Sequence, residues 1–419
     1  MEIIFAHIGL ILGLVFFCCY AYQIVYFLLS LLKKVPEPTS EPAPNRFAVL
    51  ICARNEEQVI GELLKSIQSQ TYPADRITSF VMADNCTDRT AEIARENGAV
   101  VYVRENKQWI GKGYAMEELL KRIAADFPDT SFDGYFVFDA DNVLDEHYIE
   151  EMNRTFSDGY DIVTSYRNTK NYGDNWLSAG YGLWFLHEAR HLNHARMLAK
   201  TSCAVSGTGF LFSQKILEKN SGWPFHLLTE DIEFTFQCII EGERIGYCPR
   251  AMFFDEQPVL FRQSWRQRLR WGKGYIQVFR KYGRKAISGI FSGNFACFDM
   301  VMCNFPAMVL SLVGLVGNIT AVVALLLNNA PILPVISSLW GLFWGLYGTV
   351  FIIGATTLMT EWKKIYAPVS KKILSLFTFP LFMMTYLPIT LTAFFSRVGW
   401  DPITHNRSRS LADIRKDKV

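Results

Sequence analysis

The strongest constraint on this chain is a set of long stretches without charge. Residues 300–360 contain no Asp, Glu, Lys or Arg, residues 373–396 contain none either, and residues 3–32 hold a single histidine, His7, among otherwise uncharged side chains. About 20 consecutive apolar residues suffice to cross the hydrocarbon core of a bilayer, so a wholly soluble chain is excluded. A disordered, fibrous or nucleic-acid-coating chain is excluded with it. Of 419 residues, half are hydrophobic and a fifth charged, and 42 Lys and Arg against 40 Asp and Glu leave a net charge of +2. That balance hides a basic cluster between 262 and 285. The nine cysteines are odd in number and form no CxxC pair, and Cys18, Cys19, Cys297 and Cys303 sit inside apolar runs. They read as buried or lipid-facing thiols, not as a disulfide framework or zinc site.

The pattern divides the chain into six segments. Residues 1–34 read as an uncleaved N-terminal transmembrane anchor, because Glu2 stands where a cleaved signal carries positive charge. Lys33 and Lys34 then put the next part of the chain in the cytoplasm by the positive-inside rule. Residues 35–45 are a Pro-rich linker. Over 46–256 the texture changes to short apolar runs alternating with amphipathic ones. Strands are expected at 46–53, 77–84, 100–103 and 135–140, and helices at 57–70, 88–97 and 114–127. This alternation predicts a mostly parallel sheet covered on both faces, with ligands at the carboxyl ends of its strands. Residues 257–296 interleave Arg and Lys with Trp265, Trp271, Tyr275 and Phe279, as in amphipathic helix at the inner leaflet. Nucleic-acid binding is the rival use of such a stretch and is set aside, since a membrane segment comes directly after it. Residues 297–397 form a transmembrane region, with spans near 298–327 and 334–358, and 398–419 are a basic tail. The last apolar run, 373–397, poses a conflict: a simple crossing would put the basic tail outside. Pro380 and Pro388 would allow a broken or re-entrant segment instead.

Acidic clusters fall at strand ends and helix starts: Arg54–Glu57 (RNEE), Asp84, the pair Asp139 and Asp141, and Glu230 with Asp231. A lone Asp at such a place can simply cap a helix. Two carboxylates at i and i+2 of a strand, however, share a face and repel. A divalent cation compensates them, and Mg²⁺ or Mn²⁺ uses one or two carboxylates together with substrate phosphates. Gln267, Arg270 and Trp271 lie at i, i+3 and i+4, on one helical face. Lys112 reads either as a phosphate-binding cation or as a solvated helix-start lysine. Ser206–Gly209 reads as either a tight turn or a close approach to an acceptor. His187, His191 and His194 read as a solvated helix face, with a metal site as the alternative.

Taken in order, ARNEE, the strand-end Asp84, DAD, SGTGF, TED and QRLRW, flanked by membrane segments, resemble the inverting family 2 glycosyltransferases. More narrowly, the chain resembles the membrane-integrated synthases of cellulose, hyaluronan, poly-N-acetylglucosamine and mixed-linkage β-glucan, and the tail motif WDPITHNRS adds to this. The resemblance implies an α/β GT-A fold, Rossmann-like and built for nucleotide-diphospho-sugars, joined to an α-helical transmembrane region. It implies that Asp84 contacts the nucleotide and that Ala53, Arg54 and Glu56 line a uridine pocket. Asp139 and Asp141 would hold Mg²⁺ or Mn²⁺, with Asp141 the direct ligand, and Lys112 would meet the phosphates. Asp231, beside Glu230, would be the base that deprotonates the acceptor, while Gln267, Arg270 and Trp271 would bind pyrophosphate and acceptor sugar.

The expected activity is processive polymerisation of a β-glucan from UDP-glucose, cellulose-like or (1,3;1,4)-mixed, with translocation across the plasma membrane. UDP-N-acetylglucosamine as donor, or a single addition to a lipid as in ceramide glucosyltransferases, are the alternatives. The expected partners are a UDP-sugar, a growing β-glycan or lipid acceptor, and the bilayer. With so few helices, a homo-oligomer or an accessory translocation partner would be needed for a complete channel. A nucleotide-sugar-sensing transporter fits less well, because the apolar runs lack the intramembrane charges of transport sites.

Overall fold

The computed structural model describes residues 11, 13–328 and 331–417. The N-terminal anchor expected over 1–34 therefore lies partly outside the described residues. Its described part is two helices, α1 (Gly13–Tyr20) and α2 (Tyr22–Leu32), bent by 40° at the break between them.

Next in the chain is an eight-stranded sheet made of β1 (Phe47–Ala53), β2 (Ile77–Asp84), β3 (Val100–Arg104), β4 (Gly134–Asp139), β5 (Val143–Leu144), β6 (Ile162–Thr169), β7 (Phe210–Ser213) and β8 (Ile245–Asp255). The order is β3-β2-β1-β4-β7-β6-β8-β5. Strands β3, β2, β1 and β4 are parallel, β7 runs antiparallel between β4 and β6, and β6 and β8 are parallel again. Connecting these strands are α3 (Ile60–Gln68), α4 (Thr90–Glu96), α5 (Lys112–Asp126), α6 (Tyr148–Ser157), α7 (Trp176–His187), a π-helical turn (Glu188–Asn193), α8 (His194–Leu198), α9 (Gln214–Lys219) and α10 (Glu230–Ile240).

Side chains alternate across a strand, and β1 divides accordingly. Phe47, Val49 and Ile51 join Leu63 and Ile67 of α3 and Met152 of α6 on one face. Ala48 and Leu50 join Leu119 of α5 and Tyr181 of α7 on the other. Both faces are covered, as the apolar strand runs predicted.

Beyond the sheet lie α11 (Phe261–Phe291), α12 (Phe295–Leu327), α13 (Leu333–Glu361), α14 (Val369–Met384), α15 (Tyr386–Phe395) and α16 (Leu411–Lys416). The basic stretch is thus one 31-residue helix, α11. Among the described residues, three segments are long and apolar enough to cross a membrane, α12, α13, and the α14–α15 run taken as one, and the bent α1–α2 pair would make a fourth. The third is anchored to the sheet domain along its whole length. At its start, Ala367 and Pro368 pack on Gly173; in the middle, Phe382 sits against Gly180 of α7; at its end, Ala393 meets Gly272 of α11. The helix breaks at Thr385, where Pro388 cannot donate to the Met384 carbonyl four residues back. Buried Arg268 of α11 occupies this break, donating to Thr385 Oγ1 at 2.6 Å and to the Phe382 carbonyl at 3.3 Å. Both ends of the run therefore lie on the side of the sheet, and the tail returns to it. This removes the conflict that a simple crossing would create.

The helices are tied in by buried polar contacts. Arg196 of α8 pairs with Asp299 of α12 at 2.7 Å, and Tyr22 and Tyr26 of α2 donate to the same carboxylate. His191 and His194 are buried and His187 is half-buried, so the three do not form a solvated face. His187 meets Thr357 of α13, His191 meets Ser30 of α2, and His194 meets the Lys33 carbonyl. Among the described residues no His, Cys, Asp and Glu cluster of three could hold a metal. All nine cysteines are free thiols.

Candidate active site

The carboxyl ends of β1, β2 and β4 converge on one cavity. Asn55 and Asn85 come just after the ends of β1 and β2 with φ of 58° and 54°, a left-handed conformation that Asn tolerates better than most residues. These turns send the chain sharply away and leave Arg54, Glu56 and Asp84 at the rim. Asp84 is buried and accepts from Arg104 Nη1 at 2.6 Å and from Asn85 Nδ2 at 2.9 Å. Burial nevertheless raises its pKa, against the pull of Arg104.

Asp139 is the last residue of β4, and Asp141 lies in the turn beyond it. Strand alternation therefore does not relate the two, contrary to the i, i+2 argument; both line the same cavity, with different partners. Asp139 is ion-paired with Lys112. Asp141 is buried, and its Oδ2 accepts from the backbone N–H of Glu256 at 2.7 Å. Nearby Asp255, at the end of β8, accepts from Arg167 Nη2 at 2.5 Å through Oδ2, but its buried Oδ1 has no hydrogen-bond partner. Among the described residues no three such groups converge on one metal position, but carboxylate oxygens, one of them unpartnered, are the donor chemistry that Mg²⁺ or Mn²⁺ takes together with substrate phosphates.

Lys112 opens α5 and is largely withdrawn from solvent, so it is not a solvated helix-start lysine. Its ammonium donates to the Gly207 carbonyl at 2.8 Å and lies 4.0 Å from Glu230. Burial opposes its charge, but Asp139 and Glu230 hold its pKa up at about 12.

Glu230 and Asp231 open α10, where the helix dipole favours negative charge. Burial pushes Glu230 to about 7 and raises Asp231 as well. Gly207 has φ of 77°, and a Cβ there would lie 4.0 Å from Asp231 Oδ2. Gly209 has a packing reason, since a Cβ would strike the Phe253 ring at 2.2 Å. The SGTG segment is thus both a tight turn and a wall of the site.

Gln267, Arg270 and Trp271 of α11 line the same cavity. Gln267 Oε1 and Arg270 Nε are buried without a partner, which is rare for buried polar atoms and fits a polar ligand between them. Trp271 packs edge-on to Tyr181 with ring centroids 5.8 Å apart.

Several lining residues escaped the sequence reading. Arg167 and Asp255 form a buried pair at the ends of β6 and β8. Glu188, in the π-helical turn, points into the cavity, and burial raises its pKa. From the tail, His405 Nδ1 lies 3.0 Å from both Glu56 carboxylate oxygens, and the Trp400 ring sits under the guanidinium groups of Arg54 and Arg270 at 5.4 and 5.8 Å. Glu256 accepts from the backbone N–H groups of Asn406 and Arg407. Burial opposes protonation of His405, but the Asp141 and Glu56 carboxylates lift its pKa to about 10. Burial raises Glu56 to about 7 although His405 draws it down. Asp255 was legible in principle: like Asp139, it ends an apolar strand. The tail's contacts were not, because they join residues 349 apart in sequence.

Comparison with known proteins agrees with this geometry. Residues 44–274, more than half of the chain, match the family described as "Glycosyltransferase like family 2". The "Probable glycosyltransferase YdaM" of Bacillus subtilis is 27% identical over 259 residues, 57% of each chain. A β-monoglucosyldiacylglycerol synthase of Synechocystis is 24% identical, covering 61% of this chain and 55% of its own. A poly-β-1,6-N-acetyl-D-glucosamine synthase of Staphylococcus aureus is 25% identical, covering 55% and 54%. The chain spans a little over half the length of these relatives. In fold it is similar to a mannosyltransferase of Pyrobaculum calidifontis, solved with GDP-Man and Mn²⁺, at a TM-score of 0.58 and 15% identity over 93% of this chain and 99% of that one. With a GT-A sheet domain, acids gathered at its strand ends and apolar helices beyond it, the chain belongs to the family 2 glycosyltransferases.

Proposed function

We propose that the chain catalyses inverting, divalent-metal-assisted transfer of a hexosyl group from a UDP-sugar, UDP-glucose first, to an acceptor hydroxyl at the cytoplasmic face of the plasma membrane. The observation that carries this reading is the arrangement in one cavity of a half-buried, proton-attracting carboxylate, Asp231, with the unpartnered atoms of Gln267 and Arg270. Asp84, Arg54 and Glu56 bind the nucleoside. Asp139 and Asp141 fit a Mg²⁺ or Mn²⁺ ion, which when bound supplies positive charge against the leaving diphosphate. Lys112 and Arg270 add fixed charge around the same phosphates. Asp231 takes the proton of the acceptor hydroxyl, and burial keeps its proton affinity high, while its charge helps to raise Glu230 beside it. A single displacement turns an α-linked donor into a β-linked product. The names of the Synechocystis and Staphylococcus relatives, both makers of β-linked products, support that stereochemistry.

The test is UDP release by the purified chain with Mn²⁺ or Mg²⁺ across UDP-glucose, UDP-N-acetylglucosamine, UDP-galactose and UDP-glucuronate, with the product anomer read by NMR. The reading expects turnover of one donor, abolished by chelator, and a β-anomer. An α-product, or equal release with and without metal, contradicts it. A product of high molecular mass would make the chain the β-glucan polymerase expected from its sequence.

A further inference from the structure

The active cavity continues between α12 and α13 as far as Leu325 and Val335. Beside its acidic end lies a second cavity, of about 680 Å³. The walls of this second space are the first turns of α11, the link from Glu256 to Leu260 that joins β8 to α11, and the start of the tail, Arg397–Arg407. Gln263 Nε2 ties the tail to α11 here by donating to the Thr404 carbonyl at 3.0 Å. Gln267, Arg270 and His405 line both cavities.

The second cavity is basic, with five arginines in its lining against two acids, Glu256 and Asp401. Glu256 is already engaged, accepting from two tail N–H groups and facing Lys170 at 3.8 Å. Arg407 pairs with Asp174. Arg262 and Arg266, one turn apart on α11, and Arg397 on the tail wall are exposed and have no ion pair among the described residues. The buried lining is polar and unsatisfied. Gln257 is 2% exposed, yet neither its Oε1 nor its Nε2 has a hydrogen-bond partner. A buried amide with both ends free is rare, and it suits a ligand whose hydroxyls can donate as well as accept.

The neighbours of the cavity are apolar. Arg397 comes two residues after Phe395, the exposed last residue of the α14–α15 run. Leu260 lines the cavity and is exposed, and next to it the exposed Phe261 ring lies between Trp176 and Trp265, at centroid distances of 6.3 and 6.0 Å. Exposed aromatic and aliphatic groups beside unpaired arginines, at the sheet-side end of a membrane segment, are the features of a headgroup layer. A soluble anion would use the arginines and leave Leu260, Phe261 and Phe395 in water. A phospholipid covers both, since guanidinium groups fit phosphate oxygens and acyl chains cover apolar surface.

We infer that the second cavity seats the headgroup of an anionic, hydroxyl-bearing phospholipid of the phosphatidylglycerol type, with its phosphate among Arg262, Arg266 and Arg397 and its hydroxyls toward Gln257. The filled seat braces the tail that carries Trp400 and His405 over the active cavity. That consequence rests on the proposed donor chemistry, whereas the seat itself does not.

A long basic helix also draws anionic lipid diffusely, and the experiment separates the two. The full chain is placed in nanodiscs of phosphatidylcholine, with or without phosphatidylglycerol. Arg262→Gln/Arg266→Gln/Arg397→Gln empties the seat of its free cations. Arg280→Gln/Arg284→Gln/Lys285→Gln removes the same charge from exposed positions of α11 outside the cavity. Gln257→Leu leaves the charge unchanged. Lipid retained after detergent extraction is identified by native mass spectrometry, and melting curves are compared for all variants. The expected result is one phosphatidylglycerol held by the unmodified chain and by the α11 control, with retention about tenfold lower or less in the other two. UDP release from UDP-glucose should be about threefold higher with phosphatidylglycerol than without it, and the cavity triple variant should lose this gain. Equal lipid loss in the two triple variants overturns the seat. So does displacement of the lipid by excess inorganic phosphate, which would make the cavity a site for a soluble anion. Lost retention with undiminished UDP release overturns the bracing of the tail. UDP release from no donor in any nanodisc overturns the donor chemistry instead, and the retained lipid then still decides the seat.

Discussion

The two halves of the cavity use polar groups in opposite ways. At the strand ends, polar atoms are aimed inward and some are left without partners: Asp255 Oδ1, Gln267 Oε1 and Arg270 Nε are buried and unbonded. Between the membrane helices, Ser311, Asn318, Thr349 and Thr356 turn back on their own carbonyls and leave a hydrocarbon surface. Leaving a buried polar group unpaired costs about 1–3 kcal/mol, a cost that a polar ligand in the cavity would offset. The second needs no ligand to be satisfied. The contrast separates a region with unpartnered polar atoms from one where these four side chains are satisfied within their own helices, and it can be attacked from either side.

The largest effect is expected at the acids proposed to hold the metal. Asp141→Ala removes a carboxylate whose role in neutralising the leaving group is worth several kcal/mol, about a thousandfold in rate. Transfer should fall accordingly with the melting temperature little changed, as read by UDP release beside a thermal melt; near-normal transfer would place the metal elsewhere. Arg270→Met should cost about a hundredfold in kcat, because the guanidinium whose Nε lacks a hydrogen-bond partner is the one offered to phosphate.

Acidification should act through the base. Burial raises Asp231 and takes Glu230 to about 7. The active form is the deprotonated one, so kcat/KM should fall as pH drops through the neutral range, well above the usual carboxylate values near 4. A profile flat down to pH 5 would contradict this. Trp271→Ala is expected to have the smallest effect, about three- to tenfold on transfer from the loss of a ring contact, with a smaller loss in UDP-sugar hydrolysis. Equal losses in both would remove Trp271 from the acceptor side.

Legibility in the sequence divides along similar lines. Strands β1 to β4 and helices α3 to α5 lie within a few residues of their predicted positions, because each is a short apolar run or amphipathic stretch bounded by strong turn residues. The acids at their ends, Asp84 and Asp139, were legible for the same reason. The later half of the sheet was not. Strand β7 inserts antiparallel between β4 and β6, and no local pattern announces a strand that joins elements so distant in sequence. The histidines were misread because helical periodicity predicts a face but not what covers it, and here α2 and α13 do. His405 and Trp400 belong to the tail motif WDPITHNRS, which carries no role by sequence alone, and only the tail's return across α14–α15 brings them over Glu56 and Arg270.

The central claim is that the acid opening α10 deprotonates the acceptor, and Asp231→Asn tests it most directly, since it keeps size and helix start while removing the base. Measured by sugar transfer to acceptor at saturating donor, the variant should lose about a hundred- to ten-thousandfold in kcat while still binding UDP. Transfer within a few-fold of the unmodified chain would contradict the account.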